Sequence, residues 1–217
     1  MSKSILRADK SYTFSDYFEF AYPTKDIVAE FDYHFKLQKL DLPRFSVPHG
    51  ALDRLRTNFY KKLPHISLTS EAAKREFLVA PLLFELLDYL EVEIDVEYPL
   101  NVNNRLSGNI DYLIRSVHHL IVVEAKKADL DKGFSQLAVE LIAWDAYSAP
   151  QDGGSEVLYG AITVGDIWQF GLLERSHKLL LKDIDAFRVP ADLSELFSVL
   201  LGILGPPNTL RMNGDGA

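Results

Sequence analysis

Between Val92 and Lys126 the chain lays down three strand-like segments in succession, with a long helical segment on either side. Val92, Ile94, Val96 and Tyr98 alternate with Glu93, Asp95 and Glu97, the period of a half-exposed strand. Residues 108–114 and 120–126 are the next two strands, joined by a short turn around residues 116–118. Before them, residues 70–89 carry Ala73, Phe77, Ala80, Phe84 and Leu87 at helical period, with Ser70 as a cap and Pro81 set to bend or restart the helix. After them, residues 133–147 form an apolar-faced helix containing Leu137, Leu141 and Trp144. Strands are expected at 158–164, 168–173 and 179–187, and a last helix at 193–204, stopped by Gly205-Pro206-Pro207. The order helix, three strands, helix, strands predicts an α/β fold: a mixed sheet with helices on its faces.

Ahead of this core, residues 1–65 read as mostly helix and loop. A helix is expected over 25–40, where Ile27, Val28, Phe31, Phe35 and Leu37 keep near-helical spacing and Thr24 can cap it. Tyr12, Phe14, Tyr17, Phe18, Phe20 and Tyr22 make an aromatic-rich entry, better suited to core packing or a partner groove than to stacking on bases. The predicted organisation is a mainly helical N-terminal extension (1–69), a core (70–207) and a disordered tail (208–217).

The formal net charge of −8 argues against nonspecific nucleic-acid binding driven by whole-protein charge. Its distribution is uneven: residues 1–69 are net +3 and residues 70–217 net −11. The less acidic part holds a basic cluster, Arg54, Arg56, Lys61 and Lys62, the expected contact for a nucleic-acid backbone. The chain has no cysteine, which excludes disulfides and thiolate metal sites. The longest apolar stretches, near 120–123 and 197–204, are too short to span a bilayer, and the N-terminus lacks a signal-peptide core. The expectation is a soluble cytoplasmic protein with no membrane contact.

Charge inside a buried strand is costly unless it is paired or holds a metal. Asp111 lies thirteen residues before Glu124, each in an apolar strand, and Lys126 follows two positions later. Alternation puts Glu124 and Lys126 on one face at the strand's end. Two acids and a lysine in that layout suit metal-dependent phosphodiester hydrolysis. Asp111, Glu124 and the carbonyl of Ala125 would hold Mg²⁺ or Mn²⁺, and Lys126 would orient or deprotonate the attacking water or steady the transition state. A structural ion pair at the strand end is the plainer alternative.

Gly108-Asn109-Ile110-Asp111-Tyr112, then Glu124-Ala125-Lys126, then Gln136 on the following helix, resembles the PD-(D/E)XK nuclease superfamily. Glu71-Ala72-Ala73-Lys74-Arg75 with Pro81-Leu82-Leu83 looks like the opening helix of the nuclease domain in type I restriction motor subunits. Tyr159-Gly160-Ala161-Ile162-Thr163 and Trp168-Gln169-Phe170 are similar to that family's strand pair after the second helix. The resemblance spans about residues 70–173. It implies a restriction-endonuclease-like αβββαβ core, a divalent metal, and cleavage of DNA or another nucleic acid. It carries the roles of first-helix glutamate to Glu71, strand aspartate to Asp111, the ExK pair to Glu124 and Lys126, and second-helix glutamine to Gln136. Glu140 stands where many relatives place a tyrosine.

Plainer readings exist for several of these residues. Glu71 can simply favour its helix N-terminus, with Glu76 as an alternative acid, and Gln136 can hydrogen-bond a loop. Adjacent His118 and His119 face opposite sides of a strand and cannot readily share an ion. No nucleophile-elbow Gly-x-Ser-x-Gly, Walker loop or Rossmann glycine fingerprint is present. The expected activity is that of a stand-alone DNA nuclease, with assembly into a homodimer left open. The alternative is an inactive binding or scaffold protein on the same fold.

Overall fold

The computed structural model describes residues 4–47, 49–116, 120–125, 129–148 and 156–205, the strand at 120–125 through its backbone pairing. Seven strands form one mixed sheet: β1 (His34–Gln38), β2 (Glu93–Asn103), β3 (Leu106–Arg115), β4 (Leu120–Ala125), β5 (Val157–Thr163), β6 (Ile167–Glu174) and β7 (Leu179–Arg188). Their spatial order is β1-β7-β6-β5-β4-β3-β2. The β1–β7 and β4–β5 pairs are parallel and the remaining pairs antiparallel. Helices cover both faces, so the architecture is α/β with a mixed sheet.

One face is packed by α3 (Asp53–Lys62), by a helical run Glu71–Leu86, and by α7 (Leu193–Leu204). The run begins as α4 (Glu71–Lys74), passes through a π-helical turn (Arg75–Val79) and continues as α5 (Ala80–Leu86). Ser70 caps it by accepting a hydrogen bond from the Ala73 N–H at 3.1 Å. Pro81, which has no N–H, falls in the first turn after the π segment, so the expected restart is seen. The buried side of this run is Leu78, Val79, Leu82, Leu83 and Leu86. The expected stripe of Phe77, Phe84 and Leu87 is exposed instead. Two interleaved apolar series share this helix, and the richer one took the core.

The opposite face is packed by α1 (Phe14–Glu19), α2 (Thr24–Ala29) and α6 (Leu130–Ser148). Tyr12, Phe14 and Tyr17 of the aromatic entry are buried there as core packing, whereas Tyr22 is exposed, and the Tyr17 hydroxyl donates to the Arg105 carbonyl at 2.6 Å. The described residues of this N-terminal stretch thus build onto the same sheet. The helix expected over 25–40 is corrected. It stops at Ala29, turns through Asp32 (φ 62°), and becomes strand β1, paired with β7 at the sheet edge. Phe35 and Leu37 are two apart, which a strand satisfies as well as a helix does. Thr24 opens α2 rather than capping it, the cap position being Pro23. No helix among the described residues is long and apolar enough to cross a membrane.

The edge ribbon β2–β3 has one irregularity. Val92 and Ile94 pack with the α3/α5/α7 core, whereas Tyr98, Leu100 and Val102 pack with the α1/α6 core. On β3, Tyr112 and Ile114 belong to the first core and Leu106 and Ile110 to the second. Both strands therefore exchange faces at one level, where Glu97 falls opposite Asp111 between the pairs Val96–Tyr112 and Tyr98–Ile110. Glu97 has φ 55°, an uncommon value for a residue with a side chain. Pro99 is accommodated on β2 because that strand is the sheet's other edge.

Candidate functional site

Asp111 meets the helical run at this exchange point. Its carboxylate is 15% exposed and lies 3.0 Å from Nη2 of Arg75. Nη1 of Arg75 donates to Glu97 at 2.9 Å, and Glu71, one helical turn before, has a carboxylate oxygen 3.9 Å from Nη2. The guanidinium also lies over the Tyr112 ring, 5.8 Å from its centroid. Burial works against the arginine's charge, but Asp111 and Glu97 outweigh it and its pKa is raised. Burial raises the Tyr112 pKa, with Arg75 opposing. Three carboxylates thus converge on one cation, at a helical turn whose π geometry recurs at functional sites.

The neighbouring strand completes the arrangement. Tyr112, the neighbour of Asp111, pairs with Val123, the neighbour of Glu124, at the end of the β3–β4 register. Glu124 and Ala125 pair on their other side with Ile162 and Thr163 of β5. The turn that follows passes close beneath the helix. At Gly165 (φ +99°) an added Cβ would stand 3.0 Å from Cβ of Lys74, so glycine is required by both backbone and space. The Thr163 hydroxyl pins this turn by donating to the Ile167 carbonyl and accepting from the Gly165 N–H. Lys74 and Leu78 of the helical run thereby lie against the β5–β6 turn.

Of the residues expected from sequence, Asp111 and Glu71 are brought together around Arg75, while Glu76 is exposed. Glu124 and Ala125 are placed through their strand pairing. Lys126, His118, His119 and the tail 208–217 lie outside the described residues. Gln136 is buried within α6, and its amide donates to Glu140 one turn on at 2.9 Å. Its Oε1 has no hydrogen-bond partner among the described residues. The acid at 140 is therefore fully interior and serves the glutamine. Arg54 sits 3.6 Å from Glu85 and 3.7 Å from Asp88, and Arg56 is 3.6 Å from Asp53 and donates to Ser194. Lys61 and Lys62 are exposed in the last turn of α3.

Arg75 and Glu97 were not expected as site residues. Arg75 has one sequence signal, its i,i+4 relation to Glu71. Glu97 has none, because its alternation with Val96 and Tyr98 marks an ordinary solvent-facing position.

Glu71, Glu97 and Asp111 offer only oxygen donors, the kind a hard divalent cation takes. Among the described residues alone, no group of three or more His, Cys, Asp or Glu side chains is arranged to hold a metal. No protein-family profile, characterised protein or solved structure matches the chain.

Proposed function

We propose that this protein is a divalent-metal-dependent nuclease of the PD-(D/E)XK kind, hydrolysing phosphodiester bonds in DNA. The observation that carries the reading is the place of Asp111, beside the Tyr112–Val123 pair that joins β3 to β4 and ion-paired with Arg75, which Glu71 also approaches. The strand order around them, with β4 between β3 and a parallel β5, supports a restriction-endonuclease-like core.

In this reading Asp111, Glu124 and the Ala125 carbonyl hold Mg²⁺ or Mn²⁺, which when bound supplies charge neutralisation and an acidified water. Lys126 orients or deprotonates the attacking water. Arg75 fixes the Asp111 carboxylate in place and brings a permanent positive charge beside the phosphate, a task suited to guanidinium. Glu71 limits how far Arg75 can swing. Gln136 and Glu140 buttress α6 behind β4, and Lys61 and Lys62 offer exposed charge to the DNA backbone. Purified protein and the Lys126→Ala variant, incubated with plasmid, linear and single-stranded DNA in Mg²⁺ or Mn²⁺, test this. Cleavage by the wild type alone is expected. Equal cleavage by both removes the assignment.

The pairing of Arg75 with both Asp111 and Glu97 favours a second reading, a non-catalytic binding or scaffold protein whose acids hold an arginine instead of a metal. Calorimetry with Mn²⁺ separates the two: no heat of binding at millimolar metal supports the second.

A further inference from the structure

Away from the acidic site, the sheet face covered by α2 and α6 is left open near the β1–β7 edge. A cleft of ≈ 440 Å³ lies there, with Lys182 in its lining. The Lys182 side chain is only 7% exposed, and its ammonium sits 5.1 Å from the centroid of the Phe134 ring. Its carboxylate partner, Asp131 at 2.5 Å, is 93% exposed. A buried cation is expensive to desolvate, and a well-packed, enclosed counter-ion would be the stable solution. Here the counter-ion stands almost wholly in water on the first turn of α6, where it is easily exchanged.

The rest of the cleft is apolar with anchored polar groups. Leu37 of β1 pairs in register with Lys182, and both Leu37 (55% exposed) and Ile184 (54% exposed) turn hydrocarbon to solvent beside Phe35. The Gln169 amide is held by the Asp183 carbonyl at 2.8 Å, and the Thr24 hydroxyl by Ser135 at 2.8 Å. Neither is free to fill the cleft. One buried cation among exposed hydrocarbon calls for one anionic head on an apolar body. A single lysine balances a single charge, and Asp131 repels a second. A carboxylate is therefore preferred to a phosphate dianion.

We propose that this cleft binds a monocarboxylate with a compact apolar body, the carboxylate replacing Asp131 on Lys182 and the hydrocarbon covering Leu37 and Ile184. The site is independent of the nuclease reading. Isothermal titration of the full chain with octanoate, octan-1-ol, acetate and octyl phosphate tests it. Octanoate should bind at least tenfold more tightly than each of the other three. Lys182→Met should weaken octanoate binding at least tenfold. Asp131→Asn should tighten it several-fold, since the competing internal anion is gone. Ile184→Asp, at an exposed position that tolerates charge, should abolish binding and serves if Lys182→Met fails to fold. Octanoate binding no better than octan-1-ol, undiminished in both Lys182→Met and Ile184→Asp, or surpassed by octyl phosphate would overturn the proposal.

Discussion

Replacing Arg75 by methionine probes the acidic site most directly. The change keeps most of the side-chain length and removes only the guanidinium. Arg75 is 22% exposed and Asp111 15%, so their pairing is neither buried nor fully solvated. Removing one partner of a buried pair costs about 3–5 kcal/mol, and of a surface pair about 0–1 kcal/mol. Intermediate exposure places the loss at about 2 kcal/mol, mostly from Asp111, because Glu97 is 56% exposed and keeps its hydration. For a domain of this size that lowers Tm by about 4–8 °C. The double variant Arg75→Met/Asp111→Asn should recover at least about 1 kcal/mol of the loss, the coupling that a shared ion pair predicts. Urea denaturation of the four proteins, with and without Mg²⁺, measures both terms. If Asp111 also holds metal, Mg²⁺ at a hundredfold excess over its Kd stabilises the wild type and Arg75→Met by about 2.7 kcal/mol, and Asp111→Asn hardly at all. A loss below about 0.5 kcal/mol in Arg75→Met would refute the ion-pair reasoning. Full Mg²⁺ stabilisation of Asp111→Asn would refute the metal assignment.

Two further substitutions test the frame that holds the site. Gly202→Ala in α7 gains about 1 kcal/mol of helix propensity. Its Cβ would stand 2.4 Å from the Pro43 carbonyl oxygen and 2.6 Å from the Arg44 nitrogen, backbone atoms that cannot rotate away. A net loss of about 1–2 kcal/mol in urea denaturation is expected, and a net gain would show that residues 43–44 yield freely. Glu85 is buried on α5, and burial raises its pKa more than Arg54 lowers it. A raised folded-state pKa makes a contribution that is present below the unfolded pKa and lost as pH rises through the folded value. Glu85→Gln should therefore stabilise the protein at pH 7 and leave it nearly unchanged near pH 3. Denaturation curves that shift equally at both pH values would contradict the assignment.

The sequence revealed elements whose period admits one reading. The 193–204 helix matches α7 because eight of its residues are buried around an apolar stripe and Gly205 ends it. The strands expected at 120–126 and 158–164 correspond to β4 and β5, because each is a short apolar run. What stayed hidden depends on pairings remote in the chain. Phe35 and Leu37 fit either a helix or a strand, and only β7, more than 140 residues later, decides. Arg75 in a run of charged helical residues looks solvated until β2 and β3 bring Glu97 and Asp111 to it. The stripe of Phe77, Phe84 and Leu87 had a competitor one residue out of phase, and no local rule ranks the two.

The exchange of faces in the β2–β3 ribbon explains why the acids gather where they do. On a regular strand, position 111 would share a face with Leu113, which is wholly buried in the α1/α6 core. A carboxylate there would meet hydrocarbon at a cost of several kcal/mol, or would be protonated. At the exchange Asp111 reaches Arg75, which the helical run carries on the other side of the sheet. The local cost is the left-handed backbone of Glu97, about 1–3 kcal/mol for a residue with a side chain. That strain falls on the edge strand, where no further neighbour must follow the distortion. The same residue's carboxylate then shares the guanidinium. Two uncommon backbone features thus meet at one aspartate, the left-handed Glu97 across the strand pair and the π turn that begins at Arg75.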